Sequence, residues 1–520
     1  MPIRAISFAT CYDALRGSGV LTEAAQEGAL LSLWQHARWI RNEPSTHSSA
    51  NNHRIGELVG LAVIGLLVPE LRGSKDRVQE ALDGLDIEVG RQILADGTSV
   101  EQSFTYQLFV LDLLLLVAAA LECRSRPISE SLRSALARSA DAIALQLGDG
   151  EPAPTYGDTD DSRAFRHDGS DLRDPRGVAA SLAALLGHEG ARRVAGRLDP
   201  AACWLFGSEG STRFSATDPG PAPGSGFLPD GGLAVLRGGE GRLLFDVGPL
   251  GYGRLAAHGH ADALQVTLAN QGEDLIVDPG VGSFFAHREW RSAFRGTGFH
   301  PTVTVDGCDQ SESGGPFLWQ RHAHTRALHI DLDRGLVIGS HDGYLRLGDP
   351  VTHVRAVLAL PDGPTLVIDR LEAEHAHQFV QTWPLHPTLD AQLAQETIVQ
   401  ATRKQVPCLL IAFAGSMPGQ VELVRASERP FAGWWSPRLE ASIPAWHCSW
   451  RTDAEGPVTL AALLWPLDSE SWPDPALSVA ATGPDVSIDY NARQGRRRVA
   501  VPIAAPTLVG PTSIPARGIL

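Results

Sequence analysis

A chain of 520 residues, 43% hydrophobic and 20% charged, is globular, not disordered, and too long for one ordinary core. Its formal net charge of −16 argues against nucleic acid as a partner, and any acidic polymer it binds must meet a local basic patch. Six cysteines, at 11, 123, 203, 308, 408 and 448, stand without a CxxC pair. That excludes a disulfide framework and a cysteine-rich zinc site.

The opening stretch, MPIRAISFATCYDALRGSGV, lacks the basic start, long apolar run and cleavage site of a secretory signal. With no cap before Ile3, the chain is expected to begin inside a helix and to leave its first hairpin incomplete. Apolar residues at three- and four-residue steps predict helices over 22–42, 51–71, 75–97, 100–122 and 128–147. Short joints such as Pro69-Glu70 and Asp96-Gly97-Thr98 make successive helices antiparallel neighbours. The most apolar run, Leu108 to Leu121, is interrupted by Asp112 and too short for a bilayer, so a buried helix is expected and no membrane insertion.

Composition then changes. SATDPGPAPGSGFLPDGG, residues 215–232, is the expected linker between a helical domain, 1–214, and a strand-rich domain, 233–505. Beyond it GLAVLRG, RLLFDVG, ALQVTL, DLIVDPG, TVTVDG, LVIGSHDG, VRAVLALPDGPTLVIDRL, QFVQTWPL and VELVRA follow one another with frequent turn signals. Residues 506–520 are expected to be a tail. The fold class expected is a multidomain α+β chain whose second half is an antiparallel β-sandwich.

The segment from Gly251 to Gly307 concentrates metal-ligand chemistry in His260, Asp278 and His300. Imidazole nitrogens and a carboxylate suit Zn²⁺. ALQVTL and DLIVDPG read as a hairpin about Asn270-Gln271-Gly272, and HPTVTVDG as a third strand, so a metal would staple three strands. His258 shares a face with His260 if the stretch is extended. Against this, the chain has 18 histidines, most of them ordinary, and a lone His-x-His is weak evidence. Asp262 is equally suited to orienting a histidine from outside the ligand set.

Two helical segments hold unusual polar groups. SSANNHRIGE crowds Asn51, Asn52, His53 and Glu57 at a helix start, where Asn51 also serves as an N-cap. EQSFTYQLFVLDLLLL opens an apolar helix with Tyr106, a position equally natural for an amphipathic core residue. Together with YGDTDDSR, AAHGHADAL, VDPG and WRSAFRGTGFHPTVTVDG, in that order along most of the chain, these segments resemble the heparinase II/III family of polysaccharide lyases, which includes alginate lyases.

The resemblance implies a helical toroid of the (α/α) type, expected to be incomplete in this chain, ahead of a β-sandwich. It also implies β-elimination on a uronic-acid-containing acidic polysaccharide, leaving a 4,5-unsaturated uronate. Such chemistry requires the uronate carboxylate to be neutralised, a base for the C5 proton, and an acid for the departing O4. By resemblance Asn52 and His53 neutralise, Tyr106 is the acid and on one face also the base, and His258 is a second base or orients the sugar. A tyrosine base needs positive neighbours; Arg54, Arg291 and Arg295 are the candidates, and also bind sugar carboxylates. Glu57 and Gln107 complete the implied substrate-binding set. His260, Asp278 and His300 match the family's zinc site, usually structural. Family lyases commonly work in the cell envelope or periplasm.

The chain departs from the family pattern at Gln107, where relatives often carry His, and at Ser283-Phe284-Phe285, where a Tyr is expected. It also has His300-Pro301 for the usual His-Asn, and a shorter N-terminal region. Three rivals remain. His258-x-His260-x-Asp262 also opens the motif of zinc hydrolases in which helices and strands alternate. A non-catalytic polysaccharide-binding protein would keep the zinc trio and use Trp319, Trp383, Trp434 and Trp435. A glycoside hydrolase needs two opposed carboxylates, for which Asp158, Asp160 and Asp161 look too much like a loop cluster. The lyase reading demands that Tyr106, His53 and His258 come together in space.

Overall fold

Two helices, Asn52–Leu67 and Phe104–Cys123, are buried on nearly every side, as expected where apolar residues leave no polar stripe. The second is the only one among the described residues long and apolar enough to cross a bilayer, and 83% of its apolar window is buried in protein. Around them lie more amphipathic helices, Pro2–Leu15, Glu23–Asn42, Ser74–Gln92, Glu130–Gln146, Arg176–Leu186, Glu189–Ala195 and Pro200–Ala216. Thr22 and Ser129 cap two of them by accepting from Ala25 and Leu132 N–H groups. The first helix has no side-chain cap, starts with Pro2 in its first turn, and packs that proline against Gly60. One core joins these helices, including Ile6, Leu33, Leu58, Leu114, Leu136 and Leu182. The computed structural model describes residues 1–164, 174–238, 241–361, 363–467, 471–482, 485–492 and 495–503; the tail expected at 506–520 lies outside them.

After Ala216 the next element is the strand Gly226–Leu228, and every strand pairing from there on is antiparallel. The first five strands form one meander ending in Val266–Asn270 and Glu273–Ile276. Asn270 pairs with Glu273, and Gln271 and Gly272 both take positive φ, 52° and 74°. This is the two-residue hairpin whose twist matches the strands. An eight-stranded sheet and a four-stranded sheet follow. Phe245, Leu268, Val303, Trp383, Phe413 and Leu464, drawn from all three, share one core.

The eight-stranded sheet is covered on its other side by the strands Ser478–Thr482, Asp485–Ala492 and Gly495–Pro502, through Ile368, Trp465, Ile488 and Tyr490. Burial on both faces is why Val458–Pro466 reads VTLAALLWP without alternation.

Helices thus precede strands with almost no interleaving, which removes the alternating architecture of the zinc-hydrolase rival. Trp319 and Trp383 are core residues, only 2% and 0% exposed, so they offer no sugar-stacking surface. The domains are joined by polar contacts. Arg242 Nη1 donates to the carbonyls of Gln146 (3.0 Å) and Pro152 (2.8 Å), Arg237 pairs with Glu151, and Asp96 accepts from the backbone of Asp230 and Gly231.

Candidate active site

The N-terminus of helix Phe104–Cys123 meets the loop 156–163 and the segment 251–264. Ser103 caps the helix through Tyr106 N–H, and its hydroxyl donates to the Asp158 carbonyl (2.6 Å), as does that of Thr105 (3.0 Å). The Asp158 N–H donates to the His258 carbonyl (2.8 Å). Two glycines permit this crossing. A Cβ on Gly157 (φ 63°) would lie 2.3 Å from the Gln102 carbonyl oxygen, and one on Gly259 1.7 Å from that of Leu250, so no larger residue fits.

Asp158 is fully buried and is the hub of the site. Its Oδ2 accepts from His258 Nδ1 (3.0 Å), its Oδ1 from His260 Nε2 (3.0 Å), and Arg291 binds both oxygens through its fork. Burial pushes this carboxyl up, but the Arg291 guanidinium and the donated hydrogen bonds hold it well below the usual carboxylate range. An ionised carboxylate only accepts, so both histidines donate to it. His258 therefore carries a proton on Nδ1, and its Nε2 lies 3.6 Å from Glu101 Oε2.

Tyr106 and His258 stack, ring centroids 3.7 Å apart and planes 24° from parallel. The Tyr106 hydroxyl donates to Asp160 Oδ2 (2.8 Å). Burial first, then Asp160, Asp158 and Glu101, raise the phenol far above its ordinary value. The positive neighbours expected for a tyrosine base are engaged elsewhere. Arg291 serves Asp158, Arg54 pairs with Glu57 (3.2 Å), and Arg295 lies 4.2 Å from the Trp319 ring centre and donates to the Gly315 carbonyl. The acids win because they lie in the phenol's own shell. As it stands, Tyr106 holds its proton.

Asn52 joins this group through Glu101, its Nδ2 lying 3.1 and 2.9 Å from the two carboxylate oxygens. His53 points elsewhere. Its ring is exposed and lines, with Asn52 and Glu57, a cavity of about 340 Å³ beside the first helix, and it makes no hydrogen bond or ring contact with Tyr106 or His258 among the described residues. Glu57 accepts from Ser45 N–H and Oγ (3.0 and 2.6 Å). Gln107 is buried with its amide donating to Gly97 O (2.8 Å), on the far side of the helix start from the stack. Glu101 was not singled out by sequence reasoning, and Asp158 and Asp160 were read only as part of a loop acid cluster. The available signal was Arg291: an arginine that enters a core requires a carboxylate, and YGDTDDSR supplied one.

Beneath the hub, donor atoms of His260, Asp262, Asp278 and His300 all lie within 4.8 Å of one another, fully enclosed. Each ligand stands at a strand end: Asp278 just past Glu273–Ile276, His300 just before Val303–Val305, and His260 in the loop leading to Val266. The 251–264 segment is not a strand, so His258 and His260 reach Asp158 by loop geometry. His260 spends Nε2 on Asp158 and His300 spends Nε2 on the Phe294 carbonyl (2.9 Å). Both present a bare Nδ1, and with Asp278 Oδ2 these are buried atoms without a hydrogen-bond partner. Asp278 Oδ2 and His300 Nδ1 are 3.1 Å apart, close enough for an ion pair but not aligned as a hydrogen bond. Burial lowers His260 to about 4, keeping it neutral. Burial also opposes charge on His300, but Asp278 and Asp262 outweigh it and raise it. Three buried ligand atoms without a hydrogen-bond partner, two imidazole nitrogens and a carboxylate oxygen beside a further buried carboxyl, fit a cation.

The profile described as "Heparinase II/III-like, C-terminal" matches residues 220–442, and "Heparinase II/III N-terminus" matches residues 3–159. Among solved structures, the fold is similar to that of heparan sulfate lyase HepC from Pedobacter heparinus. That match has a TM-score of 0.69 and 17% identity, over 98% of this chain and 75% of that one. A heparinase III superposes with a TM-score of 0.76 and 13% identity, over 97% of this chain and 75% of that one. No curated protein sequence matches the chain. Matched at both its helical and its strand-rich half, and in the order of its domains, the chain belongs to the heparinase II/III family.

Proposed function

We propose that this chain is a polysaccharide lyase that cleaves a uronic-acid-containing acidic polysaccharide by β-elimination, leaving a 4,5-unsaturated uronate on the new non-reducing end. The observation that carries this reading is the Tyr106–His258 stack, which brings a protonated phenol and an imidazole held at Nδ1 by Asp158 together from the two domains. His258, oriented by Asp158, takes the C5 proton at Nε2. Tyr106 gives its proton to the departing O4 and recovers one from water. Acid and base are then separate groups, which suits a phenol surrounded by carboxylates. One Asn52 N–H, forked between the Glu101 oxygens, leaves the second free for the uronate carboxylate, where charge develops. His53, which faces the cavity beside the first helix, has no part in this step.

The same reading takes the helical half as an (α/α) toroid and the sheet half as a β-sandwich, and it draws on the relatives described as heparan sulfate lyase and heparinase III. On incubation with alginate, heparan sulfate, heparosan and hyaluronan, ultraviolet absorbance of the conjugated unsaturated uronate is expected to rise with at least one polymer. A folded protein that produces it from none would refute the proposal.

We assign the cation to Zn²⁺, held by His260 Nδ1, Asp278 Oδ2 and His300 Nδ1 at about 2.0–2.2 Å, with Asp262 at the edge of the set. The ion would tie three strand ends together and take no part in the proton transfers. Asp278→Asn is expected to lose the zinc found by elemental analysis of the purified protein and to lower its melting temperature, whereas Tyr106→Phe retains full zinc content. Full zinc in Asp278→Asn would contradict the assignment.

A further inference from the structure

The helix Arg288–Arg295 has a second side. Arg291 and Arg295 face Asp158 and Trp319, while Arg288, Glu289, Ser292, Ala293 and Gly296 share another face. That face walls a cleft of about 740 Å³ whose floor is the outer surface of the four-stranded sheet. Strand alternation sorts the floor. In Ala376–Pro384, Phe379, Gln381 and Trp383 are buried inward, and Gln378, Val380 and Thr382 line the cleft. In Trp446–Glu455, Cys448 and Trp450 enter the core, and His447, Ser449 and Arg451 line the cleft. The register sets these side chains in rungs: Thr304, Val380 and Arg451 in one, Thr382, Ser449 and Glu422 in the next.

Phe431 and Arg288 take the cleft beyond a solvated sheet face, and His447 sits under its floor. His447 is 4% exposed, and its Nε2 is buried without a partner. Burial holds the ring at about 4, so it is neutral, and hydrogen bonding to the Trp434 backbone leaves Nε2 as a bare acceptor. That nitrogen lies beneath the cleft surface. Opposite, Phe431 stands half-buried at the rim, braced by Trp290 at 5.3 Å between ring centres, and presents an aromatic surface to the cleft. Arg288 makes no hydrogen bond or ion pair among the described residues, while Arg451 is paired with Glu422 (3.4 Å).

We propose that this cleft is a second saccharide-binding site, separate from the Tyr106–His258 stack, that takes a hydroxyl-rich segment of an oligosaccharide. A sugar ring has an apolar C–H face for Phe431, hydroxyls for Gln378, Thr382 and Ser449, and in a uronate a carboxylate for Arg288. The cleft volume is that of small-molecule sites. A polymer held there would remain on the enzyme between cuts and raise its effective concentration at the catalytic pair.

The test is calorimetric titration of the full-length Tyr106→Phe protein with heparosan and alginate hexasaccharides, repeated with Phe431→Ala or Ser449→Trp added. At least one hexasaccharide is expected to bind, and each cleft variant is expected to weaken that binding by about tenfold or remove one site. Near-ultraviolet circular dichroism and zinc content confirm the fold, and Phe431→Ala stands alone if Ser449→Trp does not fold. Binding unchanged by the cleft variants, or no binding of either saccharide, overturns the proposal. Turnover of polymer by the wild-type protein judges the lyase reading separately, so the two can fail independently.

Discussion

Tyr106→Phe is expected to lower the elimination rate by about 10²–10⁴-fold, the contribution of a positioned general acid. The substitution removes one oxygen. It leaves the ring stacked on His258 and breaks a single hydrogen bond, to Asp160, so the stability cost is about 1 kcal/mol. Substrate affinity should change little, because the phenol acts on the departing oxygen, not on the bound uronate. The reading is checked by comparing kcat with KM for the two proteins on the best polymer. A loss confined to KM would assign Tyr106 to binding and leave another group as the acid.

Asp158→Ala is expected to have the largest structural effect of any single change at the site. It strips the fully buried Arg291 of its carboxylate and leaves His258 and His260 without the acceptor that sets their tautomers. Removing one partner of such a buried pair costs about 3–5 kcal/mol, measured as a shift in the urea midpoint at unchanged slope. Asp158→Asn, which keeps the shape, should lose less stability but a comparable share of activity, since an amide cannot fix both imidazoles. The pH dependence has a definite sign. The folded carboxyl is depressed below its unfolded value, so its stabilisation is complete above about pH 4 and drains away as pH falls further. Asp158→Asn should show a shallower acid limb than the wild type. An acid limb of equal depth would mean that the hub contributes nothing to acid stability.

How much of this was legible follows from the range of each interaction. The central helices announced themselves because 14 consecutive residues, Leu108 to Leu121, are apolar but for Asp112, a local signal. The hairpin at Gln271-Gly272 was equally local. The pairing of Tyr106 with His258 is not local, and only the ordered resemblance to a family brought the two residues together. Nothing in sequence spacing could place Asp158 under Arg291, because 133 residues separate them and both lie in loops or short helices without periodicity. Gln107 shows the opposite limit: next to Tyr106 in sequence, it turns to the Gly97 carbonyl because adjacent helical residues face 100° apart. His53, beside Asn52, diverges for the same reason. The strands Val406–Gly415 and Val458–Pro466 gave weak signals because burial on both faces replaces alternation with apolar runs.

The central claim is that the Tyr106–His258 pair breaks the glycosidic bond without adding water. Cleavage of a uronate polymer in heavy-oxygen water, followed by mass spectrometry of the products, tests it most directly. Unsaturated fragments lighter by one water than hydrolysis products, carrying no heavy oxygen and strongly reduced with Tyr106→Phe, are expected. Saturated fragments that carry the label would contradict it.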